Sequence, residues 1–162
     1  MARNLLFITT DQQRFDSLPC YGRGFVQAPN LERIAREGTV FERCYVTSPV
    51  CVPSRASLMC GQWPSACGVM GNGSWLPGAI PTWPAALGAA GKRTAAIGKM
   101  HFAPWDLPAG FGERITAEDK RHMYLPDDHY QWLKARGIDR PHPVTLPGYY
   151  ESLGAPTWPH GK

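Results

Sequence analysis

The sequence holds no apolar run long enough to cross a bilayer, which takes about 20 residues. Its first apolar stretch, Leu5-Leu6-Phe7-Ile8, gives way at once to Thr9 and Thr10. Following Met1-Ala2-Arg3-Asn4, that stretch is also too short for a signal-peptide core with its cleavage site. The expectation is a cytoplasmic protein with no membrane partner. Runs or stripes of Lys and Arg are absent as well. The formal net charge is only +4, and bases mix with acids, as in Glu32-Arg33, Arg36-Glu37 and Glu42-Arg43. Nucleic acid is therefore not an expected partner. A small anionic substrate needs one or two placed cations, and the charge balance leaves it open. Finally, Cys20, Cys44, Cys51, Cys60 and Cys67 form no Cys-x-x-Cys pair, so neither a zinc knuckle nor a thioredoxin-type redox site is suggested. Their odd number and irregular spacing argue against a disulfide framework.

What is present reads as globular: 162 residues, 43% hydrophobic and 19% charged, the length of one ordinary domain. Residues 5–10 form a continuous apolar and β-branched run, the pattern of a strand buried on both faces in a parallel sheet. It ends in Asp11-Gln12-Gln13, and ligands bind beyond the carboxyl ends of strands in open α/β sheets. After a Gly/Pro-rich turn region at 19–24, residues 29–38 predict a helix. Asn30 is its expected N-cap, Leu31, Ile34 and Ala35 its apolar face, and Gly38 its stop. Residues 40–46 predict a second strand, and 53–59 a second helix with Pro53 in its first turn. Residues 83–90 read as a short apolar helix closed by Gly91, and 94–98 as a third buried strand running into Lys99-Met100-His101. This alternation predicts an α/β fold. Beyond His101 the pattern weakens: 127–136 suits a helix capped by Asp127 or Asp128, and from 140 onward Pro, Gly, His and aromatics follow no period.

Three polar clusters follow the three strand-like segments: Asp11-Gln12, residues 51–55, and Lys99 with His101. A carboxylate at such an edge can hold a hard divalent cation through oxygen. A nucleophile at a helix start lies in the positive end of the helix dipole. Arg55, Lys99 and a metal together suit an oxyanion such as sulfate or phosphate, and His101 suits orienting a nucleophile or moving a proton. Taken singly, each is more often bland: a turn carboxylate, a buried thiol, a solvated lysine, a structural histidine.

Their combination resembles one family. Cys51-Val52-Pro53-Ser54-Arg55, continuing through Ala56-Ser57-Leu58-Met59-Cys60-Gly61, looks like the sulfatase signature C-x-P-S-R. Thr9-Thr10-Asp11-Gln12 resembles that family's first metal-binding segment, and residues 28–38 its "TPNLDRLAREG" helix. Residues 41–46 resemble the strand after that helix, and Gly98-Lys99-Met100-His101 its G-K-x-H segment. The resemblance implies an alkaline phosphatase-like fold, a mostly parallel sheet flanked by helices. Residues 1–162 would be its N-terminal portion and an incomplete domain, with about 1–110 matching strongly and 111–162 a loop-rich continuation.

It further implies hydrolysis of a sulfate monoester. Cys51, oxidised by a separate maturation enzyme to Cα-formylglycine, would hydrate to a geminal diol. One hydroxyl would attack sulfur, and the other would let the sulfated intermediate collapse by elimination, splitting one hard displacement into two steps. Asp11 and Gln12 would ligate a divalent cation, calcium typically, with magnesium or manganese as alternatives, and Cys51 would also touch it. Arg55 would stabilise the formylglycine, Lys99 would bridge it to a sulfate oxygen, and His101 would hydrogen-bond the diol. Pro53 and Ser54 would be read by the maturation enzyme. Asn72 is a candidate substrate contact, with a turn residue as the alternative.

The sequence departs from that pattern at Gln12, where many sulfatases carry a second Asp, and at Cys60, where a threonine is usual. The Asp-Gln form resembles the branch of choline sulfatases and phosphonate monoester hydrolases, which keeps phosphonate or phosphate ester hydrolysis as an alternative. The family's later Asp-Asn or Asp-His metal pair, its second lysine and its leaving-group histidine have no counterpart in residues 123–162. Asp127-Asp128-His129 reads instead as a helix start. A non-catalytic fragment is thus a third reading. Which sulfate ester is bound, and the oligomeric state, are not legible here.

Overall fold

The computed structural model describes residues 4–22, 25–118 and 125–138, divided between two compact units, Met1–Tyr45 and Val46–Lys162. Residues 139–162, the aperiodic tail, lie outside the described residues.

In the first unit, helix α1 spans Pro29–Glu37. Proline favours the first helical position because its missing N–H would find no partner there and its fixed φ is already helical. The helix therefore starts at Pro29, with Ala28 at the cap accepting from the Glu32 N–H at 3.0 Å. Asn30 falls inside the helix, so the expected Asn30 cap is not used. Gly38 stops the helix as predicted, its N–H donating to the Ile34 carbonyl at 2.8 Å. Two 3₁₀ turns, Phe15–Ser17 and Pro19–Tyr21, precede it. The Tyr21 hydroxyl reaches forward to the Phe41 carbonyl at 3.2 Å.

The strands expected at 5–10 and 40–46 are not formed; both stretches are irregular. Leu6 is 82% and Tyr45 84% exposed. A strand buried on both faces is stabilised by paired neighbours and covering helices. Among the described residues no strand pairs with either segment, so the apolar pattern has nothing to pack into.

In the second unit, α2 spans Cys51–Cys60, beginning two residues earlier than predicted. Pro53 is tolerated because it still lies among the first four residues, whose N–H groups have no intrahelical acceptor. The spacing of Val52, Ala56 and Met59, four and then three residues apart, puts them on one face. That face is buried. A short turn of helix, α3 (Pro64–Cys67), and α4 (Trp83–Ala89) follow. Strand β1 is Ala95–Gly98 and pairs in parallel with β2, Glu113–Thr116, in register from Ala95 opposite Glu113 to Gly98 opposite Thr116. β2 was not anticipated: Ile115 is its one large apolar residue, too little for a pattern. Helix α5, Asp128–Lys134, closes the described part, with Asp127 at its N-cap.

Two apolar clusters hold this unit. Val52, Ala56, Cys67 and Val69 form one, and Met59, Met100 and Phe102 the other, with Trp75 and Leu76 packed against both. Burying the valines, methionines and phenylalanine among them stabilises by roughly 1.5–3 kcal/mol each. The second cluster joins α2 to the connection between the strands. Parallel strands need a crossover of a dozen or so residues, and here residues 99–112 make it without a helix. Trp83 meets Phe111 edge-on with ring centroids 5.7 Å apart, and Thr82 Oγ1 donates to the Ala109 carbonyl at 2.9 Å. Among the described residues no helix is long and apolar enough to cross a membrane.

Candidate active site

Parallel pairing brings the exits of β1 and β2 to one end, and the start of α2 lies beside the β1 exit. The Lys99 ammonium is 3.9 Å from the Cys51 sulfur, within hydrogen-bond reach for a sulfur acceptor. One guanidinium nitrogen of Arg55 donates to the Lys99 carbonyl at 2.7 Å. Residues 44 and 48 positions apart in sequence are thus tied at one point. Cys51 is half-buried as the first residue of α2, where the helix dipole favours negative charge.

Packing of its neighbours positions Lys99. Met100 and Phe102 turn into the core, 7% and 5% exposed, against Met59 and Trp75. The Trp75 and Phe102 rings lie 4.5 Å apart between centroids. Lys99 is left facing Cys51. His101 is itself buried and adopts φ +54°, the left-handed region that a non-glycine residue seldom enters. The rest of the crossover is braced by Arg114, whose guanidinium donates to the carbonyls of Trp105 and Leu107 and sits 5.2 Å from the Phe102 ring centroid. Burial lowers the Arg114 pKa from its ordinary value, opposed by Glu118, Asp106 and Asp128.

Asn72 has a definite place. Its Oδ1 accepts from the Val52 N–H at 3.1 Å, so it satisfies one of the orphan donors at the start of α2. It is a remote cap for the helix that carries Cys51.

Three acidic residues stand behind this turn, and of these sequence reasoning missed Glu118. Glu118, 6% exposed, accepts from the His101 N–H at 3.0 Å and from the Met100 N–H at 3.3 Å. Asp127, fully buried, accepts from the Glu118 N–H at 2.8 Å and the Tyr130 N–H at 2.7 Å. Asp128 accepts from the Thr116 N–H and hydroxyl at 2.6 and 2.8 Å, and those bonds hold its pKa below the usual 3.8. The helix-start reading of Asp127 and Asp128 thus describes their work. No sequence signal marks Glu118, because a carboxylate just past a strand looks like any turn residue.

Asp11 and Gln12 belong to the first unit. Both are exposed, and Gln12 has φ +54°. Their carboxylate and amide oxygens are the donors a hard cation takes, but calcium needs six to eight oxygens. Among the described residues no group of three or more His, Cys, Asp or Glu is gathered to hold a metal ion. The residues present do not by themselves build a cation site.

A helix-borne thiol, a lysine and an arginine gathered at the carboxyl end of a parallel pair are groups of the kind that suit an oxyanion, on an α/β fold. The Sulfatase family model matches residues 3–140, and the chain belongs to the sulfatase family. Its fold is that of the family, α/β and alkaline phosphatase-like, represented by the N-terminal portion. A choline-sulfatase of Rhizobium meliloti (strain 1021) is 41% identical over 115 residues, covering 71% of this chain and 22% of the relative. An arylsulfatase of Clostridium perfringens (strain 13 / Type A) is 30% identical over 184 residues, covering 98% and 38%. Among solved structures, BT4656 in complex with its substrate D-glucosamine-2-N,6-O-disulfate is 37% identical. It superposes with a TM-score of 0.57 over 61% of this chain and 20% of that one. The chain thus spans between about a fifth and two fifths of the relatives it matches.

Proposed function

We propose that this chain, residues 1–162, is the N-terminal portion of the catalytic domain of a sulfuric ester hydrolase and carries its nucleophile. The observation that supports this most is the Lys99 ammonium 3.9 Å from the Cys51 sulfur in a chain of this family, with Arg55 fixed on the Lys99 carbonyl. Cys51, matured to formylglycine by a separate enzyme, supplies a hydrated aldehyde as the attacking group. Lys99 holds an oxygen of the sulfate so that the sulfur faces the attacking hydroxyl, and its charge offsets the negative charge that grows in the transition state. Arg55 fixes the Lys99 backbone, and so the point from which the cation reaches the anion. His101 orients the attacking hydroxyl and takes its proton. Asp11 and Gln12 contribute the first oxygens of a divalent-cation site, calcium in this reading, that further ligands must complete. The substrate is a small sulfate ester; the choline-sulfatase and arylsulfatase likenesses bracket the esters to try first.

The test is expression of the whole protein of which this chain is the proposed N-terminal portion, beside a formylglycine-generating enzyme. The mass of the peptide containing Cys51 is measured, and hydrolysis of an aryl sulfate is compared with that of an aryl phosphonate, Cys51→Ala serving as the blank. Expected is a matured Cys51 and sulfate turnover that Cys51→Ala abolishes. An unmodified thiol in every preparation sinks the proposal, and a preference for the phosphonate replaces it with the alternative that Gln12 suggests.

A further inference from the structure

The carboxylate of Glu118 is buried and directed at backbone. Its Oε2 accepts from the His101 N–H at 3.0 Å and its Oε1 from the Met100 N–H at 3.3 Å. These two N–H groups belong to the turn between Lys99, beside Cys51, and Phe102, in the core. The turn is strained at His101, with φ +54°. A residue stays in that region only where its surroundings hold it. Met100 and Phe102 hold the turn by packing, and Glu118 is the polar group that holds the strained peptide itself. Its own position is secured in turn. The Ala117 N–H donates to the Gly98 carbonyl at 3.1 Å, and Asp127 takes the Glu118 N–H at 2.8 Å.

We propose that Glu118 is a positioning residue for sulfate ester hydrolysis, fixing the turn that carries Lys99 to Cys51 and holds His101 by accepting from the Met100 and His101 N–H groups. This role rests on the reading of Cys51, Lys99 and His101 given above. The two N–H donors require an acceptor at both oxygens. Glutamine presents an NH₂ at one of the two, so it loses a bond and places donor against donor. Aspartate keeps the charge and both acceptors on a side chain one methylene shorter.

The experiment uses the whole protein that carries this chain, matured at Cys51, with Glu118→Gln, Glu118→Asp and, as a control, Glu113→Gln on the exposed face of β2. The readouts are kcat and KM for an aryl sulfate per folded molecule, and hydrogen exchange at the His101 amide. Expected for Glu118→Gln is a fall in kcat of about 10–100-fold, the usual effect of losing a group that orients a reacting residue, with a smaller change in KM and faster His101 exchange. Glu118→Asp should fall between it and the wild type in both readouts, and Glu113→Gln should match the wild type. A Glu118→Gln protein with fast His101 exchange and wild-type kcat overturns the role and leaves the proposed function standing. If Glu118→Gln does not fold, Glu118→Asp carries the same comparison: faster exchange with unchanged kcat overturns the role. A wild-type chain whose turnover survives Cys51→Ala refutes the underlying reading instead, and the role falls with it.

Discussion

Replacing Asn72 separates its two candidate roles, because the structure assigns its side-chain oxygen to the helix that carries Cys51. Oδ1 accepts from the Val52 N–H at 3.1 Å, a neutral bond in a half-buried setting. Removing a side-chain cap of this kind costs about 1 kcal/mol, within a range of roughly 0.5–2. Asn72→Ala should therefore lower the urea midpoint of unfolding by about 0.5 M, taking a slope of about 2 kcal/mol/M. Asn72→Asp keeps the acceptor and adds a negative charge at the start of a helix, a placement that stabilises by about 0.3–1 kcal/mol. Its midpoint should equal or exceed the wild type's. Activity is the other half of the assay. A substrate sulfate beside residue 72 would be repelled by the aspartate, raising KM well above that of Asn72→Ala. A cap leaves the Asn72→Asp KM near the wild-type value. If Asn72→Asp is less stable than Asn72→Ala, the capping account is wrong; a selective rise in its KM instead restores the substrate contact.

Three further outcomes follow from the packing. Asp127→Ala removes the α5 cap, about 1 kcal/mol, and leaves the Glu118 N–H without its acceptor, about 1–3 kcal/mol more; a urea midpoint lower by less than about 0.5 M would contradict both. Gly110→Ala adds a Cβ 2.5 Å from the Ala85 nitrogen and 2.6 Å from Thr82 Oγ1 at φ +89°, whereas Gly91→Ala meets nothing within 4 Å at φ +76°. The first should cost about 3 kcal/mol in unfolding experiments, as overpacking adds to backbone strain, and the second about 1; equal costs would show that the α4 start is not held as described. The Asp128 carboxylate has its pKa depressed by Thr116, so its contribution to stability is present above the ordinary value of 3.8 and is lost as pH falls through the folded value. The drop in melting temperature on acidification below that point should be smaller for Asp128→Asn, and identical acid profiles would show that the Thr116 bonds do not matter.

How far the sequence could be read depended on whether the signal was local. Gly38 as the stop of α1, the strand now seen as Ala95–Gly98, and Asp127 at the head of α5 were each legible because adjacent residues set them. The Asn30 cap failed because Pro29, one residue earlier, fixes the helix start. Residues 5–10 carry a strand pattern, yet pattern states only what a segment can bury, and no paired strand is present among the described residues to bury it. In the site, Cys51, Arg55 and Lys99 were named from sequence, and the structure gathers them. Asn72 was named with its role unresolved, since its partner Val52 lies 20 positions away. Glu118 escaped because its partners are backbone N–H groups, which leave no trace in side-chain identity.

The segment Lys99-Met100-His101-Phe102 shows why so short a motif needs so much structure behind it. Two of its residues, Met100 and Phe102, are apolar and buried, and packing alone would fix their side chains while leaving the peptide plane just before Met100 free to turn. That plane decides where the Lys99 carbonyl, and so Arg55, can sit. The carbonyl of Lys99 and the N–H of Met100 belong to the same peptide unit. Arg55 holds its oxygen at 2.7 Å, and Glu118 holds its N–H at 3.3 Å. A peptide gripped at both ends cannot rotate without breaking a charge-assisted bond at each. The backbone from which the Lys99 side chain reaches Cys51 is therefore held by a cation from α2 on one side and an anion from beyond β2 on the other. Loss of either should let the ammonium drift from the sulfur, and the two losses combined should cost less than their sum, because each releases the same plane.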